Sequence, residues 1–379
     1  METFFKLDTG QLRNFGTALG PECVTFATGT WTVLRALAAR EGWSVAFRAF
    51  VRSAFVPDAG QRELVKGNLD RKRIRLPQIF GNPIVSAIYG WIKSTQAGLL
   101  KEALQAEIAA LNPDVIIVYN GSVYPESVLA SVSEGRSRVF VEAGFFPKTL
   151  QIDPKGLNGA NSVPRDPSFY LESVEDYAAN GLPQTVNNRA SKAVGDGEID
   201  LEPGYVFVPF QVPSDMQVTV HSPWVRDMEA FLDVVLAAAQ RHPEDVFVIK
   251  EHPSFKRSVR DLRPSHPRVI FANDNVTSDL IQNARAVITL NSTVGIEALL
   301  FDKPVITLGR ACYNVEGLVL HAEGPDALSK ALKASQDWCH DDRLRRQFIG
   351  YLWNRYLVNG TYDSPPNNLK EVILAKATG

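Results

Sequence analysis

The sequence predicts an α/β protein made of two Rossmann-like domains facing a central cleft. Three observations carry that prediction. At 379 residues the chain is too long for one small core and long enough for two domains. Its second half alternates short apolar runs with amphipathic stretches, the pattern of a parallel, doubly wound sheet. Its first half carries two more apolar runs of the same kind, at 114–119 and 138–142.

Taken in order, Trp31–Glu41 and Gly98–Leu111 read as helices. Asp114–Tyr119 and Arg138–Glu142 read as buried strands, with a helical segment, Pro125–Val132, between them. In the second half, strands are expected at Tyr205–Gln211, Val246–Lys250, Arg268–Phe271, Ala286–Leu290, Pro304–Leu308 and Leu318–His321. The helices between them are Trp224–Arg241, Asp279–Ala284 (capped by Thr277 or Ser278) and Val294–Phe301. Ala327–Trp338 and Arg343–Leu357 are the last helical stretches. Asn187–Gly197 is polar and contains glycine, so the division becomes 1–185, a linker at 186–203, a second domain at 204–340 and closing helices at 341–379.

Composition narrows the function by exclusion. Forty basic and forty-two acidic side chains leave net −2, so bulk charge recruits neither nucleic acid nor an anionic membrane. Cys23, Cys312 and Cys339 are scattered, which fits a reducing compartment and no zinc or disulfide framework. The histidines form no HxxxH or HExxH spacing, so no metal is expected. No run approaches the ~20 apolar residues of a membrane span, and the first residues do not read as a signal peptide. One local departure is the basic stretch Lys66–Arg75 followed by the apolar Pro83–Ile92. A solvated loop before a buried helix is the preferred reading, with a membrane-surface contact as the alternative.

In a doubly wound sheet, ligands sit beyond the carboxyl ends of the strands. Four second-half strands end in polar residues: Gln211-Val-Pro-Ser-Asp215, Lys250-Glu-His252-Pro253, Asn291-Ser292-Thr293 and Gly309-Arg310. Asn291-Ser292-Thr293 opens a helix whose unpaired N–H groups suit a phosphate, although Ser292 also fits a plain N-cap. Glu297, one turn in, suits ribose hydroxyls; a surface or capping carboxylate is the alternative. Pro253 restricts His252 at the strand exit, where its imidazole could bind or protonate a phosphate; Lys250 adds charge. In the first half, Glu142 stands at a strand end before Ala143-Gly144, and Asn120-Gly-Ser122 at the end of the preceding strand. Their ordinary counterparts are a salt bridge and a turn. With no GxxxxGK[ST] loop and no well-placed GxGxxG, ATPase and dehydrogenase chemistry drop out.

Together these residues resemble the capsular polysaccharide synthesis family, the bacterial β-Kdo transferases, whose fold is GT-B-like. The segments that carry the resemblance run from Pro113 to about Leu320: Pro113–Ser122, Val141–Pro147, Asp153–Asn158 with Asn161–Arg165, Gln211-xxx-Asp215, Lys250–Pro253 and Asn291–Ala298. The first hundred residues take no part in it. The resemblance implies transfer of β-linked Kdo from CMP-Kdo, without metal or other cofactor, to a lipid or lipid-linked glycan. It implies a cytoplasmic protein, peripheral on the inner face of the bacterial inner membrane. Glu142, Asp215 and His252 are then catalytic. Lys250, His252, Pro253, Asn291, Ser292, Thr293 and Glu297 bind the nucleotide, and Gln211 and Asp215 the donor sugar. Asn120, Ser122, Asn158 and Arg165 line the acceptor side. Some members carry an acidic residue just after the glutamate matched here, where this chain has Ala143. The alternatives are a UDP-sugar-dependent transferase or 2-epimerase, and a non-catalytic nucleotide- or glycan-binding subunit of a capsule assembly or export complex.

Overall fold

A computed structural model describes residues 2–186, 197–254 and 257–378. It contains two α/β units, as expected, and each is built on a six-stranded sheet. The strands are β1 (Phe4–Leu7), β2 (Cys23–Phe26), β3 (Val115–Tyr119), β4 (Arg138–Ala143), β5 (Thr149–Asp153), β6 (Val206–Pro209), β7 (Phe247–Lys250), β8 (Val269–Phe271), β9 (Ala286–Thr289), β10 (Val305–Thr307), β11 (Leu320–His321) and β12 (Val358–Asn359).

The second unit has strand order β11-β10-β9-β6-β7-β8, all neighbours parallel. Its strands are continuous apolar runs because both faces are covered. Alternate side chains feed opposite layers: Tyr205 and Phe207 enter one core, Val206 and Val208 the other. The order reverses between β6 and β9, and at such a switch point the loops at the strands' carboxyl ends diverge and leave a crevice. Asp227 caps the helix Met228–Arg241, its carboxylate accepting from the Ala230 N–H at 2.7 Å. The helix expected near Asp279 spans Thr277–Asn283, and its N-cap is Val276, which offers no side-chain acceptor. Neither Thr277 nor Ser278 caps it.

The first unit orders its strands β12-β5-β4-β3-β1-β2, with β2, β1, β3 and β4 parallel, β5 antiparallel to β4, and β12 antiparallel to β5. Four of these strands are absent from the sequence reading. β1 is only four residues long and contains Lys6, which the fold buries to 1% exposure, so its apolar pattern is broken. Between β2 and β3 stand the helices Thr30–Glu41, Trp43–Phe55, Ala59–Arg75 and Pro83–Leu111.

The division of the chain differs from the expected one. The first unit comprises 1–144, 148–157 and 358–379; the second comprises 145–147 and 158–357. Residues 158–185 therefore belong with the second unit, where Phe145, Phe146, Val163 and Tyr170 pack into its core. The chain's end returns to the first unit, Leu369 and Ile373 joining the core beneath β3 and β4. A polar, glycine-containing stretch does not by itself mark the place where one core gives way to another. Most of the expected linker, 187–196, lies outside the described residues.

Candidate functional site

The switch point of the second unit is tied together by side chains. Gln211, past the end of β6, donates from Nε2 to Asn291 Oδ1 at 2.9 Å, and the Asn291 N–H returns to Gln211 Oε1 at 3.3 Å. Asn291 Nδ2 donates to the carbonyls of Gln217 (2.8 Å) and His221 (3.3 Å). The loops after β6 and β9 are thus locked through one buried amide. Beside them, the Arg310 N–H donates to the same His221 carbonyl at 2.8 Å. Gly309 fits there because a Cβ would meet the His221 and Leu290 carbonyls at 3.0 and 3.1 Å.

Ser292 caps the helix Thr293–Leu300, its Oγ accepting from the Val294 N–H at 3.2 Å, while Tyr313 Oη donates to the Ser292 carbonyl at 2.6 Å. Gly295 is required for this, since a Cβ there would overlap the Tyr313 ring. The glycine makes room for an internal aromatic. Glu297 is 1% exposed, which eliminates a surface carboxylate.

Around β7 the picture changes. Lys250 is buried, and its Nζ donates to the carbonyls of Asn273 (2.8 Å) and Asn275. Burial lowers its pKa. It ties β7 to the loop after β8, a bracing role that the sequence reading did not include. Glu251 anchors the loop that follows, accepting from the Val259 N–H at 2.7 Å and Ser258 Oγ at 2.8 Å. His252 is half-buried and its Nδ1 accepts from the Ser254 N–H at 3.2 Å, an arrangement that assigns the neutral ring's proton to Nε2. Pro253 is half-buried beside it. Asp215 is exposed and caps the short helix Met216–Thr219, accepting from the Gln217 N–H at 3.1 Å.

Two residues assigned to the acceptor side, Asn158 and Arg165, lie in the second unit. Arg165 braces the 159–163 loop through the carbonyls of Asn161 (3.0 Å), Gly159 (3.3 Å) and Val163. Gly159 in turn packs against Arg310, where a Cβ would come within 2.6 Å of its carbonyl and 3.4 Å of His221 Nδ1. That segment borders the same rim, a proximity that sequence separation conceals.

Four buried polar atoms near this rim lack a hydrogen-bond partner among the described residues: Asn161 Nδ2, Gln217 Oε1, His221 Nε2 and Asn314 Oδ1. Atoms of this kind occur elsewhere among the described residues as well, at Ser53, Gln61 and Trp338 for example, and the four at this rim stand where a polar ligand would supply their missing partners. His221 escaped the sequence reading because nothing about its spacing distinguished it. Burial, followed by the nearby Arg310 charge, lowers its pKa. Elsewhere in the unit, His242, Glu244 and Asp245 form the one grouping of metal-ligand type among the described residues. There Asp245 is paired with Arg285 at 2.7 Å, and His242 Nε2 sits 2.9 Å from Ser329 Oγ.

In the first unit, Glu142 near the end of β4 is half-buried, beside Tyr119 and Tyr362. Their rings meet edge to face at 5.7 Å, and burial with the Glu142 charge raises both phenols. Tyr362 reaches this position only because the chain's end returns to the unit. Asn120 and Ser122 form a self-contained turn: Asn120 Oδ1 accepts from the Ser122 N–H at 3.2 Å and from its hydroxyl. They bind each other, as the turn reading expects.

Sequence reasoning also missed Glu126. It is 3% exposed between the ends of β1 and β3, accepting from Thr9 Oγ1 at 2.9 Å and the Tyr119 N–H at 3.0 Å. Burial raises its carboxyl from 4.5 to about 7, outweighing these donors and Lys6. A raised folded-state value means that the folded chain holds a proton the unfolded chain releases. Its stabilising contribution is therefore complete below the unfolded value and is lost as pH rises through about 7. Glu126→Gln should flatten the pH dependence of thermal unfolding across that window, by roughly 3 kcal/mol between its two ends. An unchanged slope would show the carboxyl to be ordinary.

Two largely parallel-stranded α/β units, the second with a locked switch point, define a protein of Rossmann-like architecture. The chain belongs to the capsule polysaccharide synthesis family: residues 177–345 match the family model for "Capsule polysaccharide biosynthesis protein". It is 54% identical to Protein FixF of Sinorhizobium fredii over 374 residues, covering 98% of this chain and 92% of that one. It is 30% identical to the capsule polysaccharide modification protein LipB of Neisseria meningitidis, covering 57% of this chain and 68% of LipB. Among solved structures, the β-Kdo 2,4-transferase KpsC of Thermosulfurimonas dismutans is similar with a TM-score of 0.43 and 16% identity. That likeness covers 69% of this chain and 87% of KpsC.

Proposed function

We propose that this chain is a glycosyltransferase of capsular polysaccharide synthesis, moving Kdo from CMP-Kdo to a lipid or lipid-linked glycan acceptor and leaving a β linkage. The observation that carries the reading is the set of unsatisfied polar atoms around Asn291 and Gly309, in a chain of a capsule-building family. A nucleotide's sugar hydroxyls and base offer the donors and acceptors such atoms require.

In this reading the CMP phosphate sits at the start of the helix Thr293–Leu300, met by backbone N–H groups, the Thr293 hydroxyl and His252 Nε2–H. Glu297 and His221 take hydroxyls of the nucleotide, and Gln211 holds Asn291 in place. Transfer with retention proceeds in two displacements. The Glu142 carboxylate attacks the anomeric carbon as its bond to the phosphate oxygen breaks, and CMP leaves with the electron pair. The oxygen of the acceptor hydroxyl then attacks the anomeric carbon as its bond to Glu142 breaks; Glu142 leaves as the carboxylate, and the hydroxyl proton passes to solvent. No metal takes part: the helix start and His252 balance the leaving charge. The protein works at the inner face of the bacterial inner membrane, where a lipid-borne acceptor is made.

Thermal unfolding with CMP, UDP or GDP tests the donor. CMP should raise the midpoint on the order of 5 °C at a hundredfold excess over Kd, with UDP and GDP well behind. Selective stabilisation by UDP would sink the CMP-Kdo assignment in favour of a UDP-sugar enzyme. Nucleotide binding with no transfer to any lipid-linked acceptor would favour a non-catalytic subunit.

A further inference from the structure

The helices between β2 and β3 expose an apolar surface that the sequence reading had placed inside. On Pro83–Leu111, residues Ile84, Ile88 and Trp91 recur at the spacing by which a helix faces a core. Here they are 68%, 53% and 50% exposed. Trp43, Phe47 and Phe55 form a second exposed row on the helix Trp43–Phe55. The two rows meet where Trp91 Nε1 donates to the Ala54 carbonyl at 2.6 Å. The indole's polar end is thereby satisfied within the protein and its ring is presented outward. Eleven of the sixteen large hydrophobic residues exposed among the described residues fall between Trp31 and Ile92, a concentration that ordinary scatter does not produce.

Charge says what covers it. Residues 31–93 carry eleven Lys and Arg against four Asp and Glu, a net of +7 in a chain whose total is −2. Arg73 and Arg75 are exposed at the carboxyl end of Ala59–Arg75, and Arg73 Nε lies 3.4 Å from Ser86 Oγ, at the foot of the Ile84–Ile88 row. A second copy on this face would set +7 against +7. No helix among the described residues is long and apolar enough to cross a membrane. Exposed Trp, Phe and Ile with basic flanks match a surface that lies in the headgroup region of an anionic bilayer.

We propose that the exposed rows on Trp43–Phe55 and Pro83–Leu111, with the basic end of Ala59–Arg75, form a docking surface for an anionic phospholipid bilayer. The proposal deepens the lipid-acceptor reading and rests on it for its purpose, while its measurement needs neither donor nor acceptor. The full chain should float with vesicles of phosphatidylcholine containing about a third phosphatidylglycerol, and bind phosphatidylcholine alone at least tenfold more weakly. Ile84→Ser with Ile88→Ser should weaken binding to the mixed vesicles by about tenfold or more, and so should Arg73→Glu with Arg75→Glu. Both variants should keep the parental unfolding midpoint and its response to CMP, which excludes misfolding as the cause.

Equal binding of both variants and the parent would overturn the proposal. So would a parent that ignores vesicles but forms a dimer dissolved by the Ile84/Ile88 variant, which would make the face a self-association surface. Vesicle binding by a chain that ignores CMP would leave this inference standing and remove the donor assignment. CMP binding without vesicle binding would do the reverse.

Discussion

Glu142→Ala should abolish sugar transfer, by at least about a thousandfold, while CMP still stabilises the chain as it does the parent. The expectation combines the family pattern with the strand's geometry. β4 ends at Ala143, and its register sets Glu142 opposite Gln151 and Ala143 opposite Leu150. Successive side chains on a strand point to opposite faces, so a carboxylate at 143 would not occupy the place of the one at 142. A relative with both acids therefore presents two carboxylates to different surroundings, and this chain presents one. Here that one has Tyr119 and Tyr362 beside it, whereas Ala143 is exposed. If Glu142 is the nucleophile, Ala143→Asp cannot rescue Glu142→Ala, and rapid quench of the parent with CMP-Kdo should trap a glycosyl adduct on Glu142. Normal turnover by Glu142→Ala would remove it from the chemistry. The candidate would then be Asp215, whose carboxylate now caps a four-residue helix.

The second unit was largely legible because its strands are buried on both faces. A run such as Val206–Pro209 or Ala286–Thr289 needs no partner to be recognised. The polar residue after each run was legible for the same reason, since the end of an apolar strand announces itself. What each polar residue does was not. Lys250 and Asn291 both follow the rule, yet one braces neighbouring carbonyls and the other locks the switch point to Gln211, eighty residues away. Long-range pairing of that kind leaves no periodic trace. The same blindness moved Asn158 and Arg165 to the wrong unit and hid Tyr362, which joins Glu142 only after the chain doubles back. The Ile84–Trp91 row failed in the opposite sense. Its spacing is that of a buried face, and spacing shows that a face is apolar without showing whether protein covers it.

His252→Ala should weaken CMP binding by roughly ten- to a hundredfold, the loss of one hydrogen bond to a charged phosphate, and should abolish most transfer. His252→Gln distinguishes the two services an imidazole can give. The bond that Nδ1 accepts from the Ser254 N–H assigns the ring's proton to Nε2, and a glutamine amide can place an N–H near the same position. A glutamine cannot deliver that proton to a leaving group. A phosphate monoester has a second pKa near 6, so CMP leaves as a stable anion at neutral pH and needs charge stabilisation more than a proton. His252→Gln is therefore expected to recover most of the CMP-dependent shift in unfolding midpoint and a substantial part of transfer relative to alanine. Recovered binding with transfer still absent would assign His252 as a general acid. Full activity in His252→Ala would place the phosphate elsewhere on the rim, leaving the helix start at Ser292 and Thr293 to hold it without the histidine.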